Sequence, residues 1–221
     1  RKDARNSEIE GRHSQAGGVA ATFAIDAQQS IEAGWTGGTE RRFYDTVSST
    51  KGGYRSTYDI DRSQAHVGWQ GRFEGWRGRV QAYRSEIDIV NSASNGVTAT
   101  RPQNLLDEVI DGHATVKLGG HQVTFGGEWR DETLTNAGLT TGRDSATHKA
   151  LFVQDEVALG SSLMLTGGLR ADNHELFGSE VSPRAYLVWE ASPALVVKGG
   201  FGHAFKAPTL KQISPNYVGA E

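Results

Sequence analysis

Through much of the chain, apolar residues recur at every second position. Across residues 184–189, Ala185, Leu187 and Trp189 alternate with Arg184, Tyr186 and Val188. Across residues 195–202, Leu195, Val197, Gly199 and Phe201 alternate with Val196, Lys198, Gly200 and Gly202. Successive side chains on a strand point to opposite faces, so each stretch reads as a strand with one apolar and one mixed face. The break Glu190-Ala-Ser-Pro-Ala194 makes the two a hairpin. The same period predicts strands near 19–25, 30–35, 65–70, 76–89, 109–118, 122–131, 148–158 and 163–173. In 122–131, Val123, Phe125, Gly127 and Trp129 share one face, with Thr124, Gly126, Glu128 and Arg130 on the other. Residues 1–17 are polar and read as a loop or the outer end of a strand.

The connections between these about ten strands alternate in length. Short ones fall near 26–29, 71–75, 119–120, 160–162 and 190–194, and long polar ones near 37–62, 90–107, 132–146 and 174–179. In an up-and-down sheet, alternate connections lie at the same end. The tight turns therefore gather at one rim and the long loops at the other, as in outer-membrane barrels. Trp69, Trp76 and Trp189 sit beside the tight turns, and Trp35 and Trp129 toward the long loops. Amphipathic rings favour the two membrane interfaces. Packing in a soluble core is the alternative for the same five residues.

Composition narrows the class. Hydrophobic residues make up 37% of the chain, and no run approaches the about 18 apolar residues of a membrane helix. A barrel strand needs only about ten residues with every second one apolar, so a membrane β-barrel passes that test. The net charge of -3 carries no basic footprint, which argues against nucleic acid as a partner. With no cysteine, disulfides and thiolate metal sites are excluded. The polar opening Arg1-Lys-Asp-Ala-Arg5 is not a leader, so export implies a removed leader or an internal start.

The motifs Ala150-Leu-Phe-Val-Gln-Asp-Glu156, Leu165-Thr-Gly-Gly-Leu-Arg-Ala-Asp172, Ser182-Pro-Arg-Ala-Tyr-Leu-Val-Trp189, Lys198-Gly-Gly-Phe201, Ala204-Phe-Lys-Ala-Pro-Thr-Leu210 and Ser214-Pro-Asn-Tyr217 follow one another in order. Together they resemble the middle of a TonB-dependent outer-membrane receptor, of the ferric-catecholate siderophore and colicin I receptor type. The resemblance is dense over residues 122–217 and thinner before. It implies an all-β, antiparallel up-and-down membrane β-barrel segment, part of a 22-stranded barrel in the outer membrane of a Gram-negative bacterium. Residues 1–221 would be a partial barrel domain, without the plug domain and the remaining strands. The implied partners are outer-membrane lipid, a ferric siderophore, the plug of the same full-length chain and, through that plug, the TonB system. Iron would enter only within the bound siderophore, with no cofactor and no catalysis.

Two groups of residues carry the functional expectations. Arg41, Arg42, Tyr44, Tyr54, Arg55 and Tyr58 crowd the first long loop. Catecholate siderophores are bulky, aromatic and anionic. Arginine supplies charge and flat donors, and tyrosine supplies stacking area and a hydroxyl. An ordinary polar surface loop is the alternative. On the strands, Arg77, Arg79, Glu128, Arg130, Arg170, Asp172, Arg184 and Lys198 occupy the mixed faces. An Arg or Lys facing lipid at mid-depth costs about 2–4 kcal/mol, so these charges must face a wet lumen or a plug. Pairing of 163–173 with 182–189 would bring Arg170, Arg184 and Asp172 together, and the resemblance implies that such arginines meet plug carboxylates. A solvated strand face is the alternative.

The seven histidines show no ligand spacing, and glycine pairs such as Gly126-Gly127 sit inside strands, where they suit close backbone approach better than phosphate binding. Three other readings stay open. A self-contained ten-stranded barrel protease would need Asp45, Asp59, Asp144 and His174 to converge at the long-loop rim. A passive porin or adhesin barrel and a soluble carbohydrate-binding sandwich are the others.

Overall fold

A computed structural model describes residues 11–48, 52–96 and 102–213. The Ser214-Pro-Asn-Tyr217 motif, residues 1–10 and the loop positions 49–51 and 97–101 lie outside the described residues. All ten expected strands are present: β1 (Gly11–Ala24), β2 (Gln29–Ser48), β3 (Gly52–Phe73), β4 (Trp76–Ala93), β5 (Gln103–Leu118), β6 (His121–Asn136), β7 (Arg143–Ala158), β8 (Leu163–His174), β9 (Gly178–Ser192) and β10 (Leu195–Gly202). They form a single antiparallel sheet in sequence order, in which β1 and β10 do not pair with each other. Connectors 25–28, 74–75, 119–120, 159–162 and 193–194 all lie at one rim, as the parity of the connections requires. At that rim Gly75 and Gly119 take φ of 81° and 62°, a left-handed turn conformation open to glycine at little steric cost.

The register assigns one apolar face to the whole sheet. Phe23 pairs with Ile31, Ile31 with Trp69 and Trp69 with Val80. Further on, Ile110 pairs with Trp129, Phe125 with Val153, Val153 with Leu169, Leu165 with Leu187 and Leu187 with Gly199. This face is uncovered: Phe23, Leu151 and Phe201 are 69%, 71% and 70% exposed. A soluble sandwich would bury such residues against a second sheet. Here no second layer exists among the described residues, so the sandwich reading fails. Trp69, Phe73 and Trp76 cluster on the apolar face beside the 74–75 turn, with Phe73 stacked on Trp76 at 4.5 Å and Trp69 6.5 Å from Trp76.

Three expected loops prove largely to be strand. The stretch 37–62 is a continuous hairpin in which β2 and β3 pair from Gln29↔Gly71 to Ser48↔Gly52. Likewise β4 runs to Ala93, β5 begins at Gln103, β6 runs to Asn136 and β7 begins at Arg143. Apolar alternation marks a strand only where one face is dry. Beyond the apolar band both faces are wet, the period disappears, and cross-strand ladders and side-chain pairs hold the hairpin instead. A span needs about 9–11 residues, so β3, at 22 residues, projects roughly 35 Å past the band.

After β10 the chain crosses the polar face. His203 N donates to Pro183 O, and a short helix, α1 (Leu210–Ile213), sets Leu210 among Leu134, Leu139 and Ala146. Leu210 is 1% exposed, which makes this strap the cover of the one buried apolar cluster on the polar face among the described residues.

Candidate functional site

Strand parity divides the six residues expected to bind ligand. Arg42, Tyr44, Tyr54 and Tyr58 lie on the polar face, whereas Arg41 and Arg55 lie on the continuation of the apolar face. Arg41 stands opposite Asp59 and bonds it at 2.6 Å; Arg55 stands opposite Asp45 and bonds it at 2.9 Å. The Arg55 guanidinium also lies 4.8 Å from the Phe43 ring centroid. These two arginines clasp the outer side of the hairpin.

On the polar side, one carboxylate gathers three guanidiniums. Glu40 accepts from Arg42 Nε, from Arg12 Nη2 at 2.8 Å and from Arg62 Nη1 at 2.9 Å. Its side chain is buried beneath them. The Arg42 hydrogen bond first, then Arg62 and the charge of Arg12, hold the Glu40 carboxyl down to about 2 against the opposing effect of burial. Glu40 is therefore ionised at neutral pH, and three positive charges meet one negative. Next to this group Tyr44 and Tyr58 stack at 6.2 Å, over a buried Asn91–Ser56 hydrogen bond of 3.2 Å. Burial, then the Tyr44 hydroxyl, pushes the Tyr58 phenol up, so it remains protonated. Among the described residues this wall sets three guanidiniums around one carboxylate, beside two aromatic faces.

Sequence reasoning missed Glu40, Arg12 and Arg62. The missing signal was register: once 37–62 is a hairpin, Glu40 pairs with Ile60 and Arg42 with Tyr58, and β1 brings Arg12 opposite Arg42.

The second expected group lies entirely on the polar face of β8 and β9. Arg170 Nε donates to Asp172 Oδ1 at 2.9 Å. Arg184, one rung away diagonally, turns its Nη2 to Gln154 instead. Asp172 is buried and also meets His148 Nε2 at 2.9 Å. His148 pairs across the ladder with His174, their rings 5.8 Å apart, and Phe205 of the strap lies 6.4 Å from His148. Sequence spacing hid this cluster, because the two histidines are brought together by the β7–β8 register alone. Burial is the main cause pushing the His174 imidazole down.

Farther out, Asp107 and Glu132 stand directly opposite each other on the polar face. Burial raises both carboxyls; the charge of Asp107 raises Glu132 further, and the charge of Arg130 offsets part of the rise at Asp107. The Leu210 backbone N–H and the charge of Arg130 offset part of this at Glu132. The four residues a protease would need do not converge: Asp45 and Asp59 lie on one face, Asp144 and His174 on the other. Glycines inside strands do admit close neighbours. A Cβ on Gly126 would stand 2.3 Å from the Gly112 carbonyl oxygen and 2.7 Å from the Phe152 ring.

An uncovered apolar band, a charged opposite face and hairpins projecting from one rim only describe the wall of a membrane barrel. A family model, the TonB dependent receptor-like β-barrel, matches residues 6–220. The chain belongs to this family. Its apolar face therefore looks to the lipid of a Gram-negative outer membrane, and its polar face to the barrel lumen.

Related proteins agree. The iron-regulated outer membrane virulence protein of Vibrio cholerae is 34% identical over 122 residues, covering 53% of this chain and 19% of that protein. The ferric enterobactin receptor PirA of Pseudomonas aeruginosa is 35% identical over 115 residues, covering 43% and 16%. Among solved structures, a variant of the ferric enterobactin receptor PfeA of Pseudomonas aeruginosa superposes with a TM-score of 0.82 at 20% identity, covering 95% of this chain and 35% of that one. The chain thus spans between 16% and 35% of these proteins' own lengths.

Proposed function

We propose that the chain is part of the barrel of a receptor that takes up a ferric siderophore of the catecholate type, driven through TonB. The observation that carries this reading is the lumenal Glu40–Arg42–Arg62–Arg12 group with the Tyr44–Tyr58 stack, above the apolar band. An iron–catecholate complex is anionic and presents flat rings. A wall that sets three guanidiniums around one carboxylate, beside two aromatic faces, complements it in both respects. The names of the relatives, ferric enterobactin receptors among them, support the same ligand class.

In this proposal Arg42, Tyr44, Tyr54 and Tyr58 contact the ligand, joined by Arg62 and Arg12, while Arg41 and Arg55 keep the hairpin closed. Arg170, Asp172 and Arg184 face the plug of the full-length chain. Capture needs no cofactor from the protein; iron arrives within the ligand, and the energy for release comes from the inner membrane through the plug and TonB.

The test is ferric-catecholate binding by the intact receptor. Arg42→Ala with Arg62→Ala should weaken it at least tenfold, and Arg41→Ala with Asp59→Ala should leave it within about twofold. Equal effects of the two double substitutions would refute the assignment of faces to roles.

A further inference from the structure

A groove of about 930 Å³ crosses the lipid face from β4 to β9. Register sets its floor: Val80 pairs with Gly112, Gly112 with Gly127, Gly127 with Leu151, Leu151 with Ala171 and Ala171 with Val181. Gly112, Gly127 and Ala171 keep this rung low, while Ile110 and Trp129 stand on the rung above and Phe125 on the rung below. The groove starts beside Trp69 and Trp76 at the turn end and reaches Trp129, Lys149 and Asn173 at the outer end.

Lys149 is out of keeping with an apolar wall. It pairs with Trp129 on one side and Asn173 on the other, and so turns to lipid. Measured from Ala158, the turn end of β7, it lies roughly 23 Å above that rim at about 3.3 Å per residue and a tilt near 40°. That is the outer edge of an apolar band about 25 Å tall, where a long cationic side chain reaches the headgroups. Lys149 is exposed and has no hydrogen bond or ion pair among the described residues. The acids nearby on the outer side are engaged. Asp131 accepts from the Thr147 hydroxyl at 3.2 Å, Glu175 from the Thr147 backbone N–H at 2.9 Å, and Glu108 from Arg84 at 3.2 Å. Arg79, Asp111, His113, Glu128, Asp172 and Glu180 also border the groove, but register puts them at lumenal positions. The Trp129 indole N–H likewise has no partner among the described residues.

We propose that this groove seats one lipid of the outer leaflet that carries a phosphate headgroup. Lys149 Nζ donates to the phosphate, Trp129 Nε1–H donates to an ester carbonyl, and an acyl chain lies along the Gly112–Gly127–Ala171 floor. A compact ammonium is a point-charge partner for phosphate. A low floor between tall side chains surrounds a chain with more close contacts than a flat wall offers. The groove opens into hydrocarbon, so its occupant is a lipid and not a dissolved anion. Bulk lipid wets every apolar position of the face; Lys149 and the groove together select one molecule from it. The inference rests on the outward orientation of this face, which follows from family membership, and is independent of the ligand proposed above.

The experiment uses the intact receptor in dodecyl maltoside, with Lys149→Gln and Ala171→Trp beside it; heat-modifiable gel migration confirms that each barrel has formed. Ala171 is exposed on the lipid face, so a tryptophan there fills the groove without entering the wall. Dioleoyl phosphatidylglycerol and uncharged dioleoyl glycerol are titrated separately and counted per receptor by native mass spectrometry. The parent should hold one phosphatidylglycerol more tightly than any further copies. Lys149→Gln should weaken that site about fivefold, the effect of one lysine at an anionic headgroup, and leave dioleoyl glycerol unchanged. Ala171→Trp should abolish the distinct phosphatidylglycerol site. No distinct site in the parent, unaltered phosphatidylglycerol binding in either variant, or equal weakening of both lipids by Lys149→Gln overturns the proposal. Ferric-catecholate binding should be the same in all three preparations, and its absence from all three refutes the proposed function alone.

Discussion

Leu169 offers the most direct test of which face meets lipid. It is 53% exposed on the apolar face of β8, between Val153 and Pro183 on the neighbouring strands. On the same face of that strand, Leu163 marks the turn end and Asn173 the outer end. At about 3.3 Å per residue and a tilt near 40°, Leu163 lies roughly 15 Å below Leu169 and Asn173 roughly 10 Å above. Their sum, about 25 Å, matches the height of a barrel's apolar band, and Leu169 falls close to mid-depth.

Leu169→Arg should therefore cost about 2–4 kcal/mol, a shift of roughly 30- to 900-fold in the folding equilibrium. Thr166→Arg, on the lumenal face of the same strand, should cost less than about 0.5 kcal/mol. The assay is guanidinium-induced unfolding of the intact receptor in thin-bilayer vesicles, followed by tryptophan emission. Equal destabilisation by the two substitutions would refute the assignment of faces, and a larger effect at Thr166 would invert it.

Other expectations concern local features. Glu40 is held down to about 2 when folded, below its ordinary range, so its contribution is complete above about 4.5 and is lost as pH falls toward 2. Amide protection factors, corrected for the intrinsic pH dependence of exchange, should fall in the outer halves of β2 and β3 across that window, and Glu40→Gln should reduce that fall, leaving the share of the Asp45–Arg55 pair. Gly126→Ala should destabilise by roughly 1–3 kcal/mol in denaturant titration, because the new methyl meets backbone at Gly112, whereas Gly167→Ala has open space and should be near neutral. Leu210→Ala removes the strap's buried anchor, at roughly 2–5 kcal/mol for a side chain of this kind; limited proteolysis should then cut within 203–213 while the barrel stays intact.

Much of this molecule was legible one residue at a time. Lipid imposes a period of two wherever a strand crosses it, so Val123, Phe125 and Trp129 declared their face without coordinates. Alternate connections lie at the same end of an up-and-down sheet, so the alternation of short and long ones along this chain gave the polarity of the wall as well. The extent of the strands did not. Between residues 37 and 62 both faces are wet, no solvent contrast writes a period, and a long hairpin reads like a loop.

The chemistry of the lumen was hidden for a related reason. Which side chains meet there depends on register, the pairing of positions far apart in sequence. Register separated Arg41 and Arg55 from Arg42 and Tyr58, gathered Arg12 and Arg62 onto Glu40, and set His148 beside His174 and Asp172. Local composition thus determined which way each membrane strand faces, because burial in lipid acts on every residue separately. Only the assembled sheet decided who neighbours whom, because hydrogen-bonded ladders fix cross-strand contacts jointly along their whole length.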